Sequence, residues 1–301
     1  MIMPRKLIPI VPKPSVRPLK YYDIVGDLMM NFLIGRRITI IRQTGDSITV
    51  MTRIKHEDGS KLPIIISDKN ELLRFVKIGG IDFMASVSSA TAKDADTVII
   101  DVKGSRKAWI INRGLELMDL ITSAIRTALE YLGLMNSLVF FDGMNGFKIM
   151  AFLSGGISAE ELRVLINIIS DAVIRSIKSN ELYQALGDEA LIGGNTMLKV
   201  KMFRIPYSLH WSTKLSAIPI PRIYDFTTIS ADPANVIRHL DTDRKLLEKS
   251  LVKNPIDSLI ENVRRVMDGD YSLIYELKGA IKSKIMKTEI NNFDKENLKT
   301  L

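Results

Sequence analysis

Between Asp96 and Phe203 the hydrophobic period switches repeatedly between ~2 and ~3.6 residues, and this alternation limits the fold more than any other feature of the chain. "DTVIIDVK" is a β-branched apolar run that reads as a strand. "NRGLELMDLITSAIRTALEYLGLMN" reads as a long amphipathic helix, with Leu117, Leu120, Ile121, Ile125 and Leu129 along one stripe. "SLVFFD" and "FKIMAFL" read as strands joined by "GMNG", whose glycines permit a tight turn. "SAEELRVLINIISDAVIRSIKS" opens with the capping-box pair Ser158 and Glu161 and predicts a second helix. "TMLKVKMF" predicts the closing strand.

The resulting order, β-α-β-β-α-β, is the split unit of ferredoxin-like and RNA-recognition-type sheets. Its first and third strands lie side by side at the centre. Asp101 and Lys103 come from the first, on one face because strand side chains alternate; Lys148 and Met150 come from the third. Polar side chains on central strands need a use, since an open sheet face is either packed or employed.

An α+β fold with three parts follows. Residues 21–95 hold a small module: "YYDIVGDLMMNFLIG" as a helix, "RRITIIR" and "SITVM" as a hairpin about "QTGD", "LPIIIS" as a third strand, and "DKNELLRFVKIGG" as a helix capped by Asp68 or Asn70. Residues 96–228 hold the core sheet. Residues 229–301 read as a helical subdomain with a polar tail, and residues 1–20 as a Pro/Lys-rich arm.

The net charge of +8 favours a polyanionic partner, DNA or RNA, because lysines and arginines that neutralise phosphates release condensed counterions; a solvated basic surface gives the same total. With no cysteine there is neither disulfide nor thiolate metal site, and three histidines, His56, His210 and His239, leave little for a histidine-built one. No apolar stretch approaches the ~18–20 residues that span a bilayer, so no membrane partner and a cytoplasmic location are expected.

The order of several motifs resembles the archaeo-eukaryotic primase superfamily, most closely the polymerase domain of bacterial end-joining ligases, from about Tyr21 to Asp225. "YYDIVGDLMMNFLIGRRITIIRQTGD" is similar to that family's first helix and its "GRPLTLRR" strand, and "IKHEDGS" retains a Lys-His pair. "IGGIDFMAS" resembles "LGAIEFHPW", "VIIDVKG" stands where the family has "VFDLD", and "DGMNGFKI" where it has "SGGKGLHV". "RIPYSLHWSTKLSAIPIP" is similar to "RxPxSLHxKTGLxxxPL".

The resemblance implies a primase-polymerase fold and, in active relatives, two-metal nucleotidyl transfer supported by three acids and a histidine. Only Asp101 matches. Lys103 stands at the second acid, Lys148 at the histidine, and the third acid falls in 193–201, where no residue is acidic. Mg²⁺ needs oxygen ligands, and one carboxylate flanked by ammonium groups supplies few. The expectation is therefore a catalytically degenerate protein without metal or other cofactor. Asp101 is then a remnant acid in a salt bridge with Lys103 or Lys148. The chain would serve as a nucleic-acid-binding or primase-associated accessory subunit in DNA replication or repair, meeting a primase or other subunit through its carboxyl-terminal helices.

Two alternatives stay open. In the first, an active template-dependent primase or polymerase holds Mg or Mn on Asp101 and Asp142, while Lys148 grips the triphosphate; yet an Asp before Gly more simply shapes a turn, and Asp188 and Glu189 are a reserve. In the second, the sheet serves protein assembly alone. Expected nucleotide or nucleic-acid contacts are Arg42, Lys55, His56, Arg204, Ser208, His210 and Lys214, with Arg36 and Arg37 beside Arg42. Trp211 is a candidate for stacking on bases, whereas Tyr21 and Tyr22 read better as packing residues.

Overall fold

The computed structural model describes residues 14–55, 58–105, 109, 113–187, 190–192 and 202–297, with side chains through 187 and from 202 to 286. His56, Asp188, Glu189 and the 193–201 stretch lie outside the described residues. Helix α1 (Pro18–Leu33) begins with proline at its first turn, where the missing N–H costs nothing. Strands β1 (Arg36–Thr44) and β2 (Ser47–Met51) form the expected hairpin, turned by Gly45 at φ +57° and Asp46. Short strands β3 (Arg53–Lys55) and β4 (Lys61–Pro63) pair with each other. Helix α2 (Lys69–Lys77) is capped by Asp68, whose carboxylate accepts from the Glu71 N–H, so Asp68 rather than Asn70 starts it. β5 (Gly80–Ser89) follows, then β6 (Ala95–Gly104), α3 (Gly114–Tyr131), β7 (Leu138–Phe141), β8 (Gly146–Ile157) and α4 (Ala159–Ile177). Ser158 and Glu161 close the predicted capping box on α4. After α5 (Glu181–Leu186) come β9 (Ala190–Ile192) and β10 (Met202–Arg204), and then α6 (Pro233–Ser250), α7 (Asp257–Met267) and α8 (Ser272–Asn297).

One antiparallel sheet runs β7-β8-β6-β9, so the first and third strands of the split unit are indeed central neighbours, with Asp101 directly opposite Lys148. A second sheet runs β10-β5-β1-β2. Two readings of the sequence are corrected. Of the predicted closing strand "TMLKVKMF" only Met202 and Phe203 are described, and with Arg204 they belong to the second sheet, paired to β5 with Met84 opposite Arg204; the place beside β6 is filled by Ala190–Ile192. Alternation marks a strand but not its partner, and the partner here is β5, which pattern reading did not single out. Likewise "LPIIIS" is strand only over Lys61–Pro63. From Ile64 the chain bridges once to Ile38 and turns inward, burying Ile64 and Ile66.

The face of β6 and β8 bearing Val98, Ile100, Val102, Phe147 and Ile149 packs into one continuous apolar core with α3 and α4. That core also takes in Phe32 and Met29 of α1 and Leu259, Leu273 and Leu277 of α7 and α8. Burial of such side chains at ~1.5–3 kcal/mol each is the main force that holds the layers together. Arg36 ties the two sheets where they meet: its guanidinium donates to Ser86 O (2.8 Å), Asp96 Oδ1 (2.7 Å) and Thr97 Oγ1 (2.9 Å), and lies over the Phe152 ring. Among the described residues no helix is long and apolar enough to cross a membrane.

Candidate functional site

Because strand side chains alternate, the face of β6 opposite the core carries Ile99, Asp101 and Lys103, and β8 adds Lys148. This face looks toward β5 and β10 across a cleft of about 230 Å³, whose other wall is Met84, Met202 and Arg204. The β7–β8 turn, 142–146, forms one end of the cleft, and His210 lines it as well.

Asp101 sits in this cleft with its side chain only 10% exposed. Lys148 donates to Oδ1, and Lys103 stands 3.9 Å from Oδ2, so each carboxylate oxygen faces an ammonium. The geometry follows from the ladder: Lys148 is Asp101's direct cross-strand partner, and Lys103 is its neighbour two residues along the same face. Opposite Lys103 is Gly146; a Cβ there would stand 2.9 Å from Val102 O and 3.2 Å from Lys103 Cγ.

Asp142 is in the same cleft, but its carboxylate shapes the turn. Oδ1 accepts the backbone N–H groups of Met144 (2.8 Å), Asn145 (3.0 Å) and Gly146 (3.1 Å). The turn is held from outside too: Arg204 donates to Asp142 O (2.7 Å), Thr213 to Gly143 O (2.5 Å) and Trp109 Nε1 to Asn145 O (2.8 Å). Gly143 has φ +82° and lies so close to His210 that an added Cβ would meet the histidine Cβ at 3.0 Å.

Arg204 is occupied as well. It forks onto Asp82, Nε to Oδ1 at 2.8 Å and Nη2 to Oδ2 at 2.7 Å, and Asp82 has no solvent exposure. Burial is the largest single influence and works to lower the guanidinium's pKa, but the Asp82 charge and hydrogen bonds, with the Asp142 charge, together outweigh it and the value is raised. Asp82 is the residue that sequence reasoning missed. Its signal is an acid inside the apolar run "IGGIDFMAS", since a carboxylate in a core calls for a cation or hydrogen-bond donors to answer it.

His210 is buried, and its Nδ1 accepts the N–H groups of Ser212 (3.1 Å) and Thr213 (3.3 Å). Desolvation, aided by the Arg204 charge, pushes the imidazole down to about 4. It is therefore neutral at pH 7 with its proton on Nε2, one uncharged donor rather than a cation.

The remaining expected contacts do not meet in the cleft. Ser208 Oγ accepts the Phe83 N–H (2.7 Å) in the interior, and Lys214, at φ +61°, donates its ammonium to Gln43 Oε1 and Trp211 O, with burial lowering its pKa. Both hold the His210 loop. Arg42 alternates onto the face shared with the buried Ile38 and Ile40, away from the cleft. Lys55 ends β3 on the exposed outer hairpin. Tyr21 and Tyr22 are fully buried, Tyr21 against Ser216 Oγ (2.5 Å) and Tyr22 donating to Ile81 O. Trp211 is half-buried and stacks on His210.

The described residues of the cleft do not fit a pair of divalent metals. One carboxylate has an ammonium on each oxygen, and the other has one oxygen committed to three backbone donors. Among the described residues no three His, Asp or Glu side chains gather as a metal site requires. What the described residues of the cleft do supply is three cations, Lys103, Lys148 and Arg204, and a neutral imidazole donor.

Two facing antiparallel sheets with this cleft between them define a primase-polymerase-like fold. No protein family is matched by the sequence, and no curated protein matches it. Among solved structures the chain is similar to the polymerase domain of Mycobacterium tuberculosis ligase D in complex with DNA, with a TM-score of 0.59 at 17% identity over 79% of this chain and 92% of that one. The archaeo-eukaryotic primase domain of the cyanophage S-2L primase-polymerase also aligns, at a TM-score of 0.34 and 11% identity over 77% of this chain and 96% of that one. The first likeness bears out the fold expected from the motifs.

Proposed function

We propose that this chain is a nucleic-acid-binding protein of primase-polymerase-like fold in which ordinary two-metal nucleotidyl transfer has been lost. The observation that carries the reading is the Asp101 carboxylate, bracketed by Lys148 on one oxygen and Lys103 on the other. In a two-metal site both oxygens face cations that activate the 3′ hydroxyl and the departing pyrophosphate; here fixed ammonium groups stand in their place, and a divalent ion between them would be repelled.

Nucleic-acid binding is supported by the fold shared with a polymerase domain solved on DNA and by the +8 net charge. The partner is a DNA or RNA strand, held by its phosphates through Lys103, whose ammonium is the more exposed of the pair, with His210 Nε2–H as a neutral donor deeper in the cleft. An accessory role in replication or repair, beside a catalytic subunit, is the setting this chemistry suits.

The test is a paired assay. Primer extension with Mg²⁺ or Mn²⁺ is expected to give no product, while single-stranded and primer-template DNA bind with an affinity that falls steeply with salt. The active alternative rests on Asp142, which shares the cleft with Asp101 and keeps Oδ2 free of the turn's donors. Extension that disappears in both Asp101→Ala and Asp142→Asn would establish it instead. Absence of extension and of DNA binding alike would leave protein assembly as the function.

A further inference from the structure

Among the described residues, the outer edge of the second sheet is open. β2 is its terminal strand, and the chain continues through Thr52 into β3, so that 47–55 forms one edge, paired inward first to β1 and then to β4. The β1–β2 ladder fixes which backbone groups point outward. A two-residue turn makes Thr44 and Ser47 a hydrogen-bonded pair, and bonding then alternates, through Arg42 with Thr49 and Ile40 with Met51. Gln43 confirms the parity, since its N–H goes the other way, to Gly79 O at 2.8 Å. Its cross-strand partner Ile48, and Val50 beyond it, therefore direct their N–H and C=O groups away from the sheet.

Those same two residues expose apolar side chains, Ile48 by 40% and Val50 by 63%. Native edges are ordinarily blunted by Lys, Pro or a bulge, and "SITVM" has none of these. Charge appears only in the second half: Arg53, Lys55 and, across the β3–β4 ladder, Lys61 are on one face, and among the described residues no carboxylate pairs with them.

We propose that this edge is a docking site for an extended, acidic segment of a partner protein, which adds as a further strand. Its backbone pairs with Ile48 and Val50, its apolar side chains cover theirs, and its carboxylates meet Arg53, Lys55 and Lys61. A second copy of this chain is disfavoured as the occupant, because it would bring the same basic residues and another +8 of net charge to the joint.

The experiment is fluorescence anisotropy with a labelled peptide of alternating valine and threonine that ends in a run of glutamates. Wild-type protein is expected to bind it. N-methylation of the peptide's edge-facing amides is expected to weaken binding about tenfold or more, as loss of two backbone hydrogen bonds requires. Val50→Pro, which removes an outward N–H and leaves the inward ladder intact, and the pair Arg53→Glu and Lys55→Glu are expected to do the same. No binding, or binding indifferent to N-methylation, overturns the proposal. So does a single-stranded DNA probe whose affinity depends on Arg53 and Lys55 but not on Val50, which would make the edge a phosphate contact. Dimerisation in sedimentation that Val50→Pro abolishes would give the edge to a second copy and overturn it too.

Discussion

Asp82 and Arg204 show how the cleft is built from pairs, each charge answered before any ligand arrives. Arg204→Ala would leave a fully buried carboxylate without its fork, and a cost of about 3–5 kcal/mol is expected in urea unfolding. The sequence pointed to Arg204 as a ligand contact and passed over Asp82, because a motif displays residue types and not which of them meet in space. The same holds for Ser208 and Lys214, whose spacing in "SLHWSTK" resembles a phosphate-binding set although their polar atoms support a loop. Titration separates the buried His210 and the half-buried Asp243 with opposite signs. His210 titrates at about 4 in the fold against 6.5 unfolded, so between these values the unfolded chain holds a proton the folded one refuses, and stability falls as pH drops through 6.5 toward 4. Asp243 is pushed by burial from 3.8 to about 7; the folded chain keeps a proton the unfolded one releases, and stability falls as pH rises from about 4 through 7. Denaturant midpoints across pH 4–8 should lose their acid-side decline in His210→Gln and rise above wild type at pH 8 in Asp243→Asn.

At the scale of elements, the helices were the most legible part. Apolar periodicity and caps placed α3 and α4, and Ser158→Ala on the α4 capping box is expected to cost about 1 kcal/mol, read as a shift in denaturant midpoint without change in slope. Strands were legible where their partners adjoin in sequence, as in β1–β2 and β7–β8. β5 was hidden because "IGGIDFMASVSS" carries glycine and serine at its ends, and β9 because three residues carry no period. The 142–146 turn was foreseen as a turn, but its bracing by Arg204, Thr213 and Trp109 comes from segments remote in sequence. Gly143→Ala tests that bracing. The positive φ and the approach to His210 predict a loss of about 1–3 kcal/mol, with the His210 ring resonances displaced in NMR spectra. A variant as stable as wild type with unmoved resonances would show the turn to be loosely held.

For the whole molecule, a primase-polymerase-like scaffold brings two sheets together so that side chains from β6, β8 and β10 share one cleft, and the chemistry of that cleft depends on which charges the strands deliver. The fold was readable because the β-α-β-β-α-β order and the spaced motifs agree, and the presence of Lys103 and Lys148 beside Asp101 was readable residue by residue. The contact of the Lys148 ammonium with Asp101 needed the register of β6 against β8. Manganese titration followed by electron paramagnetic resonance tests this most directly. The signal of free Mn²⁺ should stay undiminished by wild-type protein at concentrations where an ordinary two-metal site would be filled. Stoichiometric loss of that signal, restored by Asp101→Asn, would contradict the account.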